Sequence, residues 1–116
     1  MVNLAIIGLG RWGRVLVDAV QGKTDLAQFT DAVTRTPSKA EDYCKANSIA
    51  LTSDYSAILS DPKIDGVVLA TPHSQHEQQI IDAVRARKHV FCEKPVTLTR
   101  KSIDKAMAEV EKSGVI

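Results

Sequence analysis

Two short stretches of this 116-residue chain combine residue types and spacings that could do chemistry. The first is GLGRWG, residues 8 to 13, which sets Gly8, Gly10 and Gly13 in the pattern G-x-G-x-x-G. In that pattern one glycine permits a tight turn, the next lets the backbone approach a pyrophosphate, and the third lets a helix pack closely on a strand. The unpaired N–H groups of a helix beginning there would point at the phosphates, with Arg11 and Trp12 lining the mouth. The second stretch is FCEKP, residues 91 to 95, where an apolar run ends in Glu93 and Lys94 before a proline. An ammonium aimed at a substrate oxygen can polarise it or move its proton. The same two charges also fit a solvated ion pair at a loop edge, which contributes little.

The elements needed to hold these stretches are legible as alternation. The apolar residues of VNLAIIG are nearly continuous rather than alternating, as in a strand buried on both faces. Trp12, Val15, Leu16, Ala19 and Val20 then recur at helical spacing, and Gly22 closes the pattern. QFTDAVT predicts the second strand, followed by a helix opened by Pro37 with Ala40, Tyr43 and Cys44 inward. IALTS gives a third strand. A brief helix capped by Ser53 or Asp54 runs to Asp61-Pro62. DGVVLAT is the fourth strand, residues 74 to 86 carry Ile80, Ile81 and Val84 on one helical face, and HVFC is the fifth strand. Thr99 would cap a last helix with Ile103, Ala106, Met107 and Val110 inward and Gly114 beyond its end. Such alternation predicts an α/β fold: a doubly wound parallel sheet in a three-layer α/β/α sandwich of the Rossmann type, with right-handed crossovers. Residues 1–116 read as one domain, and the closing GVI resembles the start of another strand, as in the N-terminal part of a longer protein.

Composition narrows the partners. The formal net charge is +1 with both signs interspersed, which leaves no basic footprint for nucleic acid or an anionic membrane and favours a small-molecule partner. Cys44 and Cys92 lack C-x-x-C spacing and read as buried thiols of a reducing compartment. The apolar start is too short for a signal segment or a membrane span, so a cytoplasmic location is expected.

The second strand decides which dinucleotide the turn would take. An acid at its carboxyl end accepts hydrogen bonds from a ribose 2′-hydroxyl, as in NAD sites; NADP sites put small polar groups and an arginine there. With the strand ending at Thr34, the residues that follow are Arg35, Thr36, Ser38 and Lys39. That set suits a phosphate, which Arg35 can grip bidentately while its plane lies on an adenine. NADP is therefore expected over NAD. A strand end three residues earlier would give the acidic role to Asp31 and reverse the preference.

In chain order, GLGRWG, ATPHSQH at residues 70 to 76 and HVFCEKP at residues 89 to 95 resemble the glucose-fructose oxidoreductase, inositol dehydrogenase and rhizopine catabolism family, Gfo/Idh/MocA. The resemblance spans the chain, and the strand ending in Glu-Lys-Pro is its most specific part. It implies a dinucleotide-binding Rossmann domain, followed in relatives by an α/β substrate domain that lies outside this sequence. It also implies an NAD(P)-dependent oxidoreductase acting on a sugar, polyol or related hydroxyl or carbonyl carbon. Lys94 is then the expected catalytic residue, with Glu93 orienting it or contacting the cofactor ribose; in the family the bond before the matching proline is often cis. Ala70, Thr71 and Pro72 match the loop that passes under the ribose and nicotinamide. His73 stands where members commonly have asparagine, and His76 matches a family histidine.

His73-x-x-His76 also raises zinc, with Cys92 and Glu93 nearby, but a fuller ligand set is lacking and polar contacts to the cofactor are the expected role. Arg87 departs from the family's usual glycine after the helix, so it must adopt a left-handed turn or the helix must end differently. The longer parent is expected to be a homo-oligomer, and the fragment by itself to bind cofactor with little turnover. The reading from another class is a catalytically silent dinucleotide-binding regulatory module, against which the intact Glu93 and Lys94 speak. A different Rossmann enzyme, such as a small reductase, fits the Glu-Lys-Pro strand end less well.

Overall fold

Continuous apolar runs become the strands of one parallel sheet because each strand must be covered on both faces. The computed structural model describes residues 2–35, 37–71, 73–92 and 108, and residues 73, 74 and 76 through their backbone only. The elements in chain order are β1 (Val2–Ile7), α1 (Arg11–Val20), β2 (Ala27–Val33), a 3-10 turn (Pro37–Lys39), α2 (Glu41–Ala46), β3 (Ala50–Thr52), α3 (Tyr55–Leu59), β4 (Gly66–Leu69), α4 (His73–Arg85) and β5 (His89–Cys92). Of the last helix expected from the sequence, capped by Thr99, Ala108 alone falls among the described residues, where it is helical and exposed.

The five strands are ordered β3-β2-β1-β4-β5, and every pairing is parallel. The order reverses direction at β1, so a crevice opens beside its carboxyl end, where open α/β sheets take their ligands. Alternation along β1 separates two cores. Ala5 and Ile7 pack with Val67, Leu69, Ile58, Ile80, Ala83 and Val84 under α3 and α4. Ile6 packs with Val17, Phe29, Ala32, Ala40, Cys44 and Val68 under α1 and α2. The result is three layers, as the sequence pattern predicts. Each fully buried Ile, Leu or Val, such as Ile6, Ile7, Leu69 and Ile81, contributes roughly 1.5–3 kcal/mol by leaving water. Register between β1 and β2 shifts at Leu4/Ala5, which pair with Phe29 and Asp31. The extra residue is Thr30, and it lets both Phe29 and Ala32 face the α1 side.

Three expectations about local structure need correction or refinement. Of the apolar residues read on α1, Leu16 and Val20 pack half-buried against the core beside the buried Gly13 and Val17, whereas Trp12 and Val15 are 51% and 46% exposed and Ala19 is exposed too. Val15, Leu16 and Val17 are consecutive, so apolar spacing alone permits more than one stripe. Contact at Gly13 selects the rotation actually adopted. Pro37 opens a 3-10 turn rather than the α-helix, which begins four residues later at Glu41. Of the two caps considered for α3, Asp54 is the one used: its side chain accepts from the Ser56 N–H at 3.0 Å. The hydrogen bonds from Ser56 hold the Asp54 carboxyl below its ordinary range.

Candidate dinucleotide-binding site

The glycine turn is anchored before it bends. Gly8 N–H donates to Val33 O at 2.8 Å and Ala70 N–H donates to Ile7 O at 2.8 Å, tying the end of β1 to both neighbouring strands. Gly8 has φ +97°, and a β-carbon there would come within 2.9 Å of Ala70 O. Leu9 turns inward and is buried in the α1-side core. Gly10 is the N-cap of α1 and supplies no side-chain acceptor to the first N–H groups of the helix. A β-carbon on Gly10 would have nothing within 4 Å, so its outer face is open to an approaching group. On Gly13 a β-carbon would be driven into the Gly8 carbonyl oxygen. The three glycines thus meet three different demands: a left-handed backbone, open access and close packing.

A cleft of about 310 Å³ lies over this turn. Gly8, Gly10, Thr34, Arg35, Ala70 and Thr71 line it, together with Tyr55, Gln75 and Gln79. Thr71 Oγ1 is hydrogen-bonded to Gln79 Oε1, and the Tyr55 hydroxyl donates to Gln79 O at 2.9 Å. Burial, and next the nearby Asp82 and Cys92, push the Tyr55 phenol well above its ordinary pKa, so it stays protonated as a donor. These bonds fix the loop after β4 against α4 at the edge of the cleft.

A second hollow of about 520 Å³ adjoins the first at Leu9, Gly10 and Thr34. Arg11, Arg14 and Lys39 give it a basic wall. Arg35, Ser38 and Lys39 are exposed, and Thr34 is half-buried. β2 ends at Val33, so Thr34 and Arg35 occupy its carboxyl end, as expected. Asp31 instead lies within the strand, opposite Ala5 and Ala50, with its Oδ1 accepting from Thr30 Oγ1 at 2.7 Å. No acid therefore stands at the strand end among the described residues.

The structure brings Gly8, Gly10, Arg11, Gly13, Thr34, Arg35, Ala70 and Thr71 around the turn and its two hollows. Trp12 sits in the first turn of α1 with half its surface exposed. Ser38 lies in the 3-10 turn beside Lys39. His73 and His76 fall in the first turns of α4, behind the Thr71 loop. Thr36, Pro72, Glu93 and Lys94 lie outside the described residues. β5, which leads to Glu93, pairs with β4 through Leu69 opposite Cys92. Among the described residues no group of three His, Cys, Asp or Glu side chains could hold a metal ion. Sequence reasoning missed Arg14, Tyr55, Gln75 and Gln79; of these, Arg14 alone carried a signal, its position directly after the third glycine.

Cys44 belongs to the α1-side core and Cys92 packs against the opposite one, so the sheet separates the two thiols. Burial raises the Cys44 thiol above its ordinary pKa. Among the described residues no helix is long and apolar enough to cross a membrane.

Comparison with known proteins supplies the family. Residues 2–116 match the family model described as "Oxidoreductase family, NAD-binding Rossmann fold". The chain is 35% identical to scyllo-inositol 2-dehydrogenase (NAD(+)) of Bacillus subtilis over 120 residues, covering 99% of this chain and 34% of that protein. It is 28% identical to myo-inositol 2-dehydrogenase of Thermotoga maritima over 115 residues, covering 99% of this chain and 34% of the relative. A crystal structure of scyllo-inositol dehydrogenase from Lactobacillus casei, with bound NAD(H) and scyllo-inositol, superposes with a TM-score of 0.90 at 27% identity. That superposition covers 98% of this chain and 34% of the other. The chain thus spans about a third of the length of these relatives. With the glycine turn, the parallel sheet and the match over residues 2–116 in agreement, this chain belongs to the Gfo/Idh/MocA family of oxidoreductases, as its NAD-binding Rossmann domain.

Proposed function

We propose that this chain is the cofactor-binding domain of an NADP-preferring oxidoreductase that acts on a polyol, sugar or related hydroxyl or carbonyl carbon. The observation that carries the reading is the end of β2: Thr34 and Arg35 stand there, Lys39 lines the adjoining hollow, and Asp31 is held back within the strand. A carboxylate at that place would repel a 2′-phosphate, whereas a guanidinium and hydroxyls hold it by charge-assisted hydrogen bonds. The polyol class rests on the inositol dehydrogenases among the relatives. Their threefold greater length leaves room for a second α/β domain to complete the substrate pocket, and for the contacts of a homo-oligomer. A reducing, cytoplasmic setting fits a thiol buried in a packed core, as Cys44 is.

The residues present fit a dinucleotide. Gly10 leaves room for a pyrophosphate at the α1 N-terminus, where backbone N–H groups and the helix dipole favour an anion. Arg35, Thr34 and the Ser38 hydroxyl would hold the 2′-phosphate. Ala70 and Thr71, fixed by Gln79, would form the wall on the nicotinamide side, with Pro72, His73 and His76 completing it. When bound, the nicotinamide supplies hydride transfer to or from the substrate carbon. The protein's own part is to place the substrate oxygen and manage its proton. Lys94, next but one after β5 in the sequence, would bind that oxygen and shift the proton. Glu93 would hold the lysine in position.

The test is a titration of the chain with NADPH and NADH, followed through Trp12, the sole tryptophan. Tighter NADPH binding whose advantage vanishes in Arg35→Ala supports the reading. Equal or tighter NADH binding sinks it.

A further inference from the structure

Arg14 is the residue that joins the two segments on which the proposed NADP site depends. Its Nη2 donates to Lys39 O at 3.1 Å and its Nε approaches Leu9 O at 3.4 Å. Leu9 belongs to the glycine turn, and Lys39 ends the 3-10 turn that follows β2. One planar guanidinium therefore spans the gap between the phosphate-binding turn and the basic segment. The plane is itself held: its central carbon lies 4.9 Å from the centroid of the Tyr43 ring. Tyr43 is fixed in turn by its hydroxyl, which donates to Asp18 Oδ1 at 2.6 Å, one helical turn beyond Arg14. Asp18, the carboxylate best placed on α1 to pair with Arg14, is thus engaged by Tyr43. The Arg14 guanidinium is instead directed at two backbone carbonyls and the Tyr43 ring, beside the basic hollow shared with Arg11 and Lys39.

From this arrangement we infer that Arg14 is a positioning residue that sets cofactor selectivity. It fixes the distance between the anion-binding turn and the Arg35–Lys39 segment, so that a ligand with phosphates at both places is favoured over one with a phosphate at the turn alone. The inference rests on the NADP reading above. The flanks of the segment are held by Thr34 N–H to Thr52 O at 3.2 Å and by the buried Ala40, while the 3-10 turn between them closes on itself through Ala40 N–H to Pro37 O at 2.9 Å. A lysine cannot replace the clamp, because a single ammonium lacks the rigid fork that reaches two carbonyls while stacking on a ring.

The experiment is calorimetric titration of the chain and of Arg14→Ala and Arg14→Lys with NADPH, NADH, 2′,5′-ADP and 5′-AMP, each sample first checked by thermal melting. The expected result is that both variants lose about tenfold more affinity for NADPH and 2′,5′-ADP than for NADH and 5′-AMP, the scale of a displaced charge-assisted contact. An equal loss for all four ligands would reduce Arg14 to a structural role and overturn the proposal. So would full selectivity in Arg14→Lys, which would make charge rather than positioning the cause. If Arg14→Ala fails to fold, Arg14→Lys decides alone. Failure of the NADP reading shows separately: the unmodified chain would bind NADH as tightly as NADPH, and the proposal would fall with it.

Discussion

The carbonyl oxygen of Gly8 occupies the place where a β-carbon on Gly13 would have to go. This contact sets how closely α1 approaches the end of β1, and it separates the structural glycine from the ligand-facing one. Gly13→Ala should shift the helix off the turn and destabilise the domain by about 1–3 kcal/mol, the range for overpacking a tight contact. Gly10→Ala meets no neighbour, so it should cost about 1 kcal/mol or less, through loss of a good N-cap residue. Its effect should appear in binding instead, as an affinity for NADPH lower by about tenfold or more, because the methyl fills the approach of the pyrophosphate. Thermal melts paired with titrations check both; equal destabilisation by the two substitutions would refute the division of roles.

What the sequence discloses and what it hides follow from the range of the interactions. The glycine turn is local, so its spacing and context suffice to identify it. The end of β2 is similarly local: Ala32 and Val33 continue the strand past Asp31, which places Thr34 and Arg35 at its carboxyl end. The face of α1 was legible only in part: Leu16 and Val20 do pack inward, but Val15, Leu16 and Val17 offer competing stripes and the choice is made by Gly13 touching Gly8. The Arg14–Lys39 and Tyr55–Gln79 bonds join residues 25 and 24 positions apart and exist only once the sheet has assembled. Helical spacing with Ala40 and Cys44 put Tyr43 on the inner face of its helix, and the structure adds its grip on Asp18.

Lys88 is a buried charge, 6% exposed, whose ammonium donates to Asp61 O and Ile64 O at 2.6 Å each. It staples the loop before β4 to the start of β5. Lys88→Met keeps the packing of the stem but removes the ammonium from the Ile64 carbonyl, while Asp61 O keeps the Ile64 N–H at 3.3 Å, at a cost of roughly 1–3 kcal/mol. A chemical denaturation series should show this as a lower midpoint with an unchanged slope. A variant as stable as the parent would mean that water or other donors replace the ammonium freely.

Alkaline pH should weaken the fold through Tyr55, Tyr43 and Cys44. Burial is the leading cause of a raised pKa at all three, supplemented at Tyr43 by the hydrogen bond to Asp18. A raised folded value means that ionisation favours the unfolded chain. The stabilisation is therefore complete below the ordinary values, about 8.5 for a thiol and 10 for a phenol, and is lost as pH rises toward the folded ones. Melting temperature should fall across this window while the tyrosinate absorbance of the folded chain lags behind that of the unfolded chain. Tyr55→Phe should flatten the loss more than Tyr43→Phe, because Tyr43 is better exposed to screening solvent. An unchanged pH profile in both variants would assign the alkaline loss elsewhere.

Arg87 ends α4 in a left-handed conformation, with φ +61°. The helix needs that turn: Arg87 N–H donates to Val84 O at 3.0 Å and Lys88 N–H to Ala83 O at 2.9 Å, which satisfies the last carbonyls before β5 begins. A side chain at positive φ is strained by about 1–2 kcal/mol, whereas glycine adopts the conformation freely at some cost in unfolded-state entropy. Arg87→Gly should therefore raise stability by about 0.5–1 kcal/mol, visible as a melting temperature several degrees higher for a domain of this size. Arg87→Val should lower it, since a β-branched residue tolerates this region least. If glycine instead lowers the melting temperature, the arginine side chain contributes more at this turn than its backbone strain costs, and the residue is held there by its contacts rather than tolerated.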